Sequence, residues 1–395
     1  MPSIRFAVTA AMLAAVLFTA MPARAEAMTP EATLEALMSP QGLGPEHFGA
    51  AFLAALPLPQ LQPILAGIRQ ANGPLEGVDR VGSSFRLRFA DATIPTTIAL
   101  DGEGRIIGLW FGPAEPLGSI ESLAAAIHAL PGSTALLVVS DGKDVIAQDA
   151  DRPLAIGSAA KLAVLVALRD AVAAGRLAWD QVVPLAPSWR SLPSGQLQDW
   201  PDGTPLTIAT LANLMISVSD NTATDALIRL VGRGAVEAVA PANTPFLTTR
   251  ELFTLKTNEN APLRTAWIEG DAGARRALLA EIADRPLPKI TDLSAAATHA
   301  VEWFLSAREV CRLLDATAEL GSVGINPGVA EREPWKSVAY KGGSELGVLN
   351  LSTRVVGHDG RVHCVVASWN HDAALDDQRL IAPYRGILNR LAERE

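Results

Sequence analysis

The sequence is poor in the residues that metalloproteins, redox proteins and nucleic-acid binders rely on. Only two cysteines occur in 395 residues, Cys311 and Cys364. Neither belongs to a C-x-x-C pair or a Cys/His cluster, which removes the usual thiolate signals for metal and redox chemistry. Cys311 falls in a helix-like stretch and Cys364 in a strand-like one, each among apolar neighbours. They are expected as buried free thiols, with a disulfide as the alternative that export would permit. The six histidines (His47, His128, His299, His358, His363 and His371) are scattered without zinc-ligand spacing, so no metal and no cofactor is expected. Cations are in deficit as well: 33 Lys and Arg stand against 42 Asp and Glu, a formal charge of −9. Phosphate backbones and anionic membrane surfaces both call for clustered Lys and Arg, so neither is expected as a partner. Past residue 25 no run approaches the ~20 apolar residues of a membrane span, so no stable insertion is expected. Internal repeats and low-complexity tracts are missing too.

What is present suits a large packed core. Hydrophobic residues make up 49% and charged residues 19% of the chain, which is long enough for one large domain and a small one. Residues 1–25 read as an export signal: Arg5 is a basic start, Phe6 to Met21 form a short apolar run, and Ala23-Arg24-Ala25 is a small-x-small cleavage site. The expected mature chain begins at Glu26 and works in the periplasm or outside the cell.

Two regions follow. Residues 26–113 carry helix-like segments at Glu31–Leu37, Glu46–Ala55 and Leu58–Arg69. The period then changes to the strict alternation of Phe85-Arg86-Leu87-Arg88-Phe89, as in a half-buried strand. Strand-like runs at Thr93–Leu100 and Arg105–Phe111 are joined by Asp101-Gly102-Glu103-Gly104, a hairpin turn. After the linker Gly112-Pro113-Ala114-Glu115-Pro116, residues 117–395 form a second region. It has strand-like runs near both ends (Thr134–Ser140 and Val145–Gln148; Ser337–Tyr340, Leu346–Val356 and Val362–Trp369). Helices are expected between them at Ser158–Ala174, Thr207–Val218, Thr222–Val231 and Ala307–Leu314, and a last helix at Leu380–Leu391. Strands at both ends with helices between imply that the end strands pair in one sheet.

Three short motifs in that second region carry chemistry. Ser158-Ala159-Ala160-Lys161 opens an Ala/Leu/Val-rich helix, where residues three apart share a face and an amine would lie beside a hydroxyl. The dipole of the helix N-terminus favours an alkoxide-like oxygen and a neutral amine able to accept a proton. Ser219-Asp220-Asn221 supplies a second hydroxyl able to relay a proton, an amide able to hold a carbonyl, and an acid able to organise the turn. Lys341-Gly342-Gly343-Ser344 puts a cation at the end of a strand whose backbone the glycines leave bare for a substrate to lie along. The Ser344 N–H could pair with that of Ser158 as an oxyanion hole. Each motif alone has a plainer reading: a capped helix start, a helix-breaking turn, a glycine-rich strand end.

Taken together and in this order, the three resemble the S-x-x-K, S-D-N and K-T-G set of the class A β-lactamase and penicillin-binding-protein superfamily. The likeness is strongest over Met215-Ile216-Ser217-Val218-Ser219-Asp220-Asn221-Thr222-Ala223 and spans residues 117–395. It implies an α/β (α+β) domain with helices packed around an antiparallel sheet, and a serine hydrolase acting on β-lactams or related amides and esters. Ser158 would carry the acyl group, Lys161 activate it and Ser219 shuttle a proton. Asn221 and Gly343 would bind the substrate, with Lys341 and Ser344 at its carboxylate and oxyanion. The front region resembles an NTF2-like, steroid-isomerase-like cone. A peptidoglycan D-Ala-D-Ala peptidase, an esterase, or a β-lactam-binding protein with impaired catalysis remains as an alternative within the same resemblance.

Two departures stand out. Gly342 replaces the Thr or Ser usual in the third motif, removing a hydroxyl expected at the substrate carboxylate, although Ser344 could compensate. No E-x-x-L-N deacylation motif is found. Glu251 reads as a helix-start or salt-bridge carboxylate, which leaves Lys161 or the Ser219 relay to activate water.

Overall fold

A computed structural model describes residues 28–294 and 299–393. The proposed export signal lies outside the described residues. The described residues fall into two compact units, 28–88 with 96–111, and 89–95 with 112–294 and 299–393.

In the first unit, helices Pro30–Leu37, Ala50–Ala55 and Leu58–Asn72 precede the strands. Thr29 caps the first helix, accepting from the Ala32 N–H. Strand Ser84–Phe89 alternates half-buried and buried residues, the period of two expected of a sheet with one covered face. Thr96–Leu100 pairs antiparallel with Ile106–Phe111 across a turn in which Asp101 accepts from the backbone N–H groups of Glu103 and Arg105. Strand Leu75–Val81 was not expected from the sequence; its burial follows no clean alternation.

The second unit is a mixed α/β domain with helices packed around a six-stranded antiparallel sheet, the arrangement expected from the sequence. Its strands are β1 (Ser133–Ser140), β2 (Lys143–Gln148), β3 (Trp335–Tyr340), β4 (Gly343–Glu345), β5 (Val348–Gly357) and β6 (Val362–Asn370). The order is β3-β5-β6-β1-β2, with β4 also pairing β5. Strands from the two ends of the unit therefore meet at β6–β1, antiparallel, with Ala367 opposite Leu136. Sheet alternation divides β6 between two cores: Cys364 and Val366 face one, Val365, Ala367 and Trp369 the other. A strand buried on both faces reads as a continuous apolar run, which is how residues 362–369 appear in the sequence.

One core lies under helix α1 (Ile120–His128) and the C-terminal helix α7 (Gln378–Ala392). Ser119 caps α1, and Ile120, Leu123, Ala124 and Ile127 form its buried stripe at helical spacing. The other core holds α2 (Lys161–Ala173), buried along Lys161–Leu168 and thus enclosed nearly all round. Around it stand α3 (Ile208–Ser217), α4 (Asn221–Val231), α5 (Thr249–Lys256) and α6 (Ala307–Thr317). Among the described residues no helix is long and apolar enough to cross a membrane.

Two expectations are corrected. Cys311 and Cys364 are not free thiols; they form a disulfide between α6 and β6, with Cα atoms 6.2 Å apart. Their apolar surroundings reflect the packing of α6 on the sheet, which also brings the two residues within bridging distance. Ser158 does not open the α-helix. It sits in a 3₁₀ turn, Gly157–Ala160, and the α-helix starts at Lys161. Residues three apart still share a side, because a 3₁₀ helix has three residues per turn.

Candidate active site

All three motifs line one cavity of about 500 Å³, to which Ser158, Ser219, Asn221, Lys341, Gly343 and Ser344 contribute. Lys161 lies behind that wall, with only 2% of its surface exposed. Its Nζ is 2.6 Å from the Ser219 carbonyl oxygen, 2.9 Å from Ser219 Oγ and 2.6 Å from Asn221 Oδ1. Lys341 Nζ reaches the same Ser219 Oγ at 3.1 Å and the Gly342 carbonyl oxygen at 2.6 Å. The lysine of the first motif is therefore joined by hydrogen bonds to the second motif. No hydrogen bond to the Ser158 hydroxyl forms among the described residues, and such contacts commonly tighten only around a substrate.

Burial sets the charge of the two amines. It pushes Lys161 well below the usual lysine value, and repulsion from Lys341 adds to the effect. Burial alone brings Lys341 down to about 7. Two amines, both held below the usual lysine value, thus reach a single hydroxyl.

That hydroxyl is held by an unusual backbone. Ser219 has φ +57, in the left-handed region that non-glycine residues seldom occupy. Its carbonyl accepts from Lys161 Nζ and from Ser194 Oγ at 2.7 Å. The next residue, Asp220, is fully buried and accepts three backbone N–H bonds, from Gln196 at 2.7 Å, Leu197 at 2.9 Å and Ala223 at 2.8 Å. It thereby caps α4 and ties the Ser194–Leu197 loop to the turn. Asn221 extends the tie, its Nδ2 donating to Leu192 O at 3.0 Å. The sequence carries no motif for this loop, whose role exists only through these contacts.

The third motif meets the first backbone to backbone. A Cβ at Gly343 would stand 2.1 Å from Ile156 O and 2.5 Å from Ser158 N, and one at Gly157 would stand 3.2 Å from Ser344 N. Strand β4 therefore lies against the Ser158 turn.

Glu251 is the structural carboxylate anticipated for it. It closes a capping box with Thr248 and pairs with Arg233 at 2.7 and 2.9 Å. The sequence offered no sign of Glu345, the one carboxylate among the described residues lining the cavity. Glu345 is half-buried, with Lys256 Nζ 3.7 Å away, and Lys256 also bonds Glu302. Burial raises the Glu345 carboxyl, against the lowering effect of Lys256. Among the described residues no cluster of His, Cys, Asp or Glu is arranged to hold a metal ion.

The model of the family described as "Beta-lactamase enzyme family" matches residues 120–319, half of the chain. The chain belongs to the beta-lactamase enzyme family. The matched stretch contains Ser158, Lys161, Ser219 and Asn221, while Lys341–Ser344 lie beyond it. Similar solved structures include a beta-lactamase from Sphaerobacter thermophilus DSM 20745, at 22% identity over 70% of this chain and 97% of that one (TM-score 0.49). PBP-A is similar at 16% identity over 70% and 96% (TM-score 0.48). A beta-lactamase from Chitinophaga pinensis DSM 2588 is similar at 18% identity over 69% and 96% (TM-score 0.47). No curated protein matches the sequence. Relative to this family's K-T-G motif, Gly342 remains a departure, and the cavity wall beside it is built around Tyr340.

Proposed function

We propose that this beta-lactamase-family protein is a serine hydrolase that forms an acyl-enzyme on Ser158 with β-lactams or related amides and esters. The observation carrying this reading is the Ser219 hydroxyl, held between the nitrogens of Lys161 and Lys341 at 2.9 and 3.1 Å on the wall of the cavity that Ser158 lines. Ser158 Oγ adds to the acyl carbon, and its proton passes to the neutral Lys161 amine. The Ser219 hydroxyl relays a proton to the leaving nitrogen as the C–N bond breaks, which leaves an ester on Ser158. The Ser158 and Ser344 N–H groups face the developing oxyanion. Water then adds to the ester; Glu345 takes its proton, which goes on to the departing Ser158 oxygen. A base of this kind contributes about 10²–10⁴-fold.

The reading extends to the rest of the chain. Residues 1–25 are an export signal and the protein works in the periplasm or outside the cell. The front unit is an NTF2-like α+β domain, a reading supported by its helices preceding a sheet.

Intact-mass measurement after incubation with a fluorescent penicillin tests the proposal. An adduct on Ser158 is expected. Steady-state rates on nitrocefin, p-nitrophenyl esters and a D-Ala-D-Ala peptide then distinguish a β-lactamase from an esterase or peptidase. A long-lived adduct with negligible turnover marks a slow-deacylating relative. A folded protein that takes up no label is a binding protein, and the acyl-enzyme reading is wrong.

A further inference from the structure

The cavity wall next to Lys341 holds a hydroxyl that no motif announces. Tyr340 is the last residue of β3, and Gly342 follows two residues on, just past the strand. A Cβ at Gly342 would lie 2.3 Å from Tyr340 Oη and 3.0 Å from its Cζ. On the other side a Cβ at Gly328, whose φ is +64, would lie 2.4 Å from three carbons of the same ring. The phenol is laid across two glycines, and its oxygen ends where the side chain of residue 342 would begin. Gly342 is thus the condition for Tyr340 to occupy this place, and a threonine there would collide with it.

Tyr340 lines the cavity shared by Ser158 and Lys341. No hydrogen bond to it forms among the described residues. Burial pushes the phenol up to about 12, so at neutral pH it is protonated and a donor. A half-buried donor without a protein partner is costly unless water or a ligand satisfies it. The chain neighbour Lys341 supplies a cation, so an anionic oxygen satisfies both groups better than a neutral carbonyl does.

We propose that the Tyr340 hydroxyl is a specificity-determining donor that, with the Lys341 ammonium, takes a carboxylate of the substrate, replacing the side-chain hydroxyl that Gly342 lacks. This inference rests on the acyl-enzyme reading of Ser158.

The test measures second-order acylation of Ser158 by a penicillin with a free carboxylate and by its methyl ester. Tyr340→Phe removes one oxygen and keeps the ring. Losing a hydrogen bond to a charged group is worth roughly 10- to 100-fold, so the ratio of the two rates should fall by about that much. Tyr340→Ala should lose the same discrimination, and adding Gly342→Thr to it should restore a good part by returning a hydroxyl to the vacated space. A ratio unchanged in Tyr340→Phe, or equal losses on both compounds, overturns the assignment while leaving the acyl-enzyme intact. Wild-type protein that acylates with neither compound overturns the acyl-enzyme reading, and this assignment with it.

Discussion

Lys161 and Lys341 reach the same oxygen, their nitrogens lying 2.9 and 3.1 Å from Ser219 Oγ. Two buried ammonium groups so close to one hydroxyl repel each other, and burial disfavours both charges. The arrangement is stable when one amine is neutral; burial lowers both, and at Lys161 the repulsion of Lys341 adds to it. The proposed division of labour, base on one side and cation on the other, follows from this asymmetry.

Replacing Ser158 by Ala should abolish labelling by a fluorescent penicillin. Lys161→Ala should keep the fold and slow labelling by about 10²–10⁴-fold, the usual worth of a positioned base. Gel fluorescence and intact mass read both. Normal labelling of either variant contradicts the roles assigned.

The pH dependence should differ between substrates. Lys341 is charged below about 7 and neutral above it. For a carboxylate-bearing substrate, kcat/KM should therefore decline as pH rises through about 7, because the cation disappears. Burial lowers Lys161 as well, and it accepts a proton only when neutral, so its limb is the acid limb, on which activity rises with pH. An uncharged ester should show the acid limb without the decline near neutrality. Identical profiles for both substrates would remove Lys341 from carboxylate binding.

Glu345→Gln should separate the two halves of the reaction. Acylation should stay within about threefold of wild type, while loss of the adduct slows by about 10²–10⁴-fold. Stopped-flow bursts and the lifetime of the adduct by mass spectrometry give the two rates. If the adduct clears at the wild-type rate, the water is activated elsewhere, with Lys161 the next group to examine.

Asp220→Ala should be felt at a distance. It leaves three backbone N–H groups without the oxygens they now use, in a fully buried place. Unsatisfied buried donors and a lost helix cap together cost on the order of 3 kcal/mol. Thermal denaturation should show that loss, and labelling of Ser158 should weaken because Ser219 is released from its left-handed turn. A variant with unchanged melting temperature would show that water replaces the carboxylate.

Much of the site was legible because its three motifs are contiguous in sequence and their residue types are unusual in those orders. Ser158, Ser219, Asn221, Lys341 and Ser344 needed only the chain to bring them together. The helices and strands of the second unit were legible where periodicity was strong, as in Ile120–His128 and Val362–Asn370. What escaped depends on neighbours remote in sequence. The Ser194–Leu197 loop matters only through Asp220 and Ser219. Glu345 and Tyr340 face the cavity because β4 and β3 end there, and no spacing rule marks them. The Cys311–Cys364 bridge depends on how α6 packs against β6. The 3₁₀ turn at Ser158 escaped for a local reason: an Ala-rich run has the same composition in either kind of helix.

Gly343 carries a consequence for anyone diversifying this protein. With Ile156 O and Ser158 N only 2.1 and 2.5 Å from where a side chain would start, the strand tip and the Ser158 turn form a single mechanical joint. A library randomised across residues 343–345 and selected for labelling should return glycine at 343, whatever compound is used. New preferences should arise by exchanging residue 345 or 340, which border the joint without forming part of it.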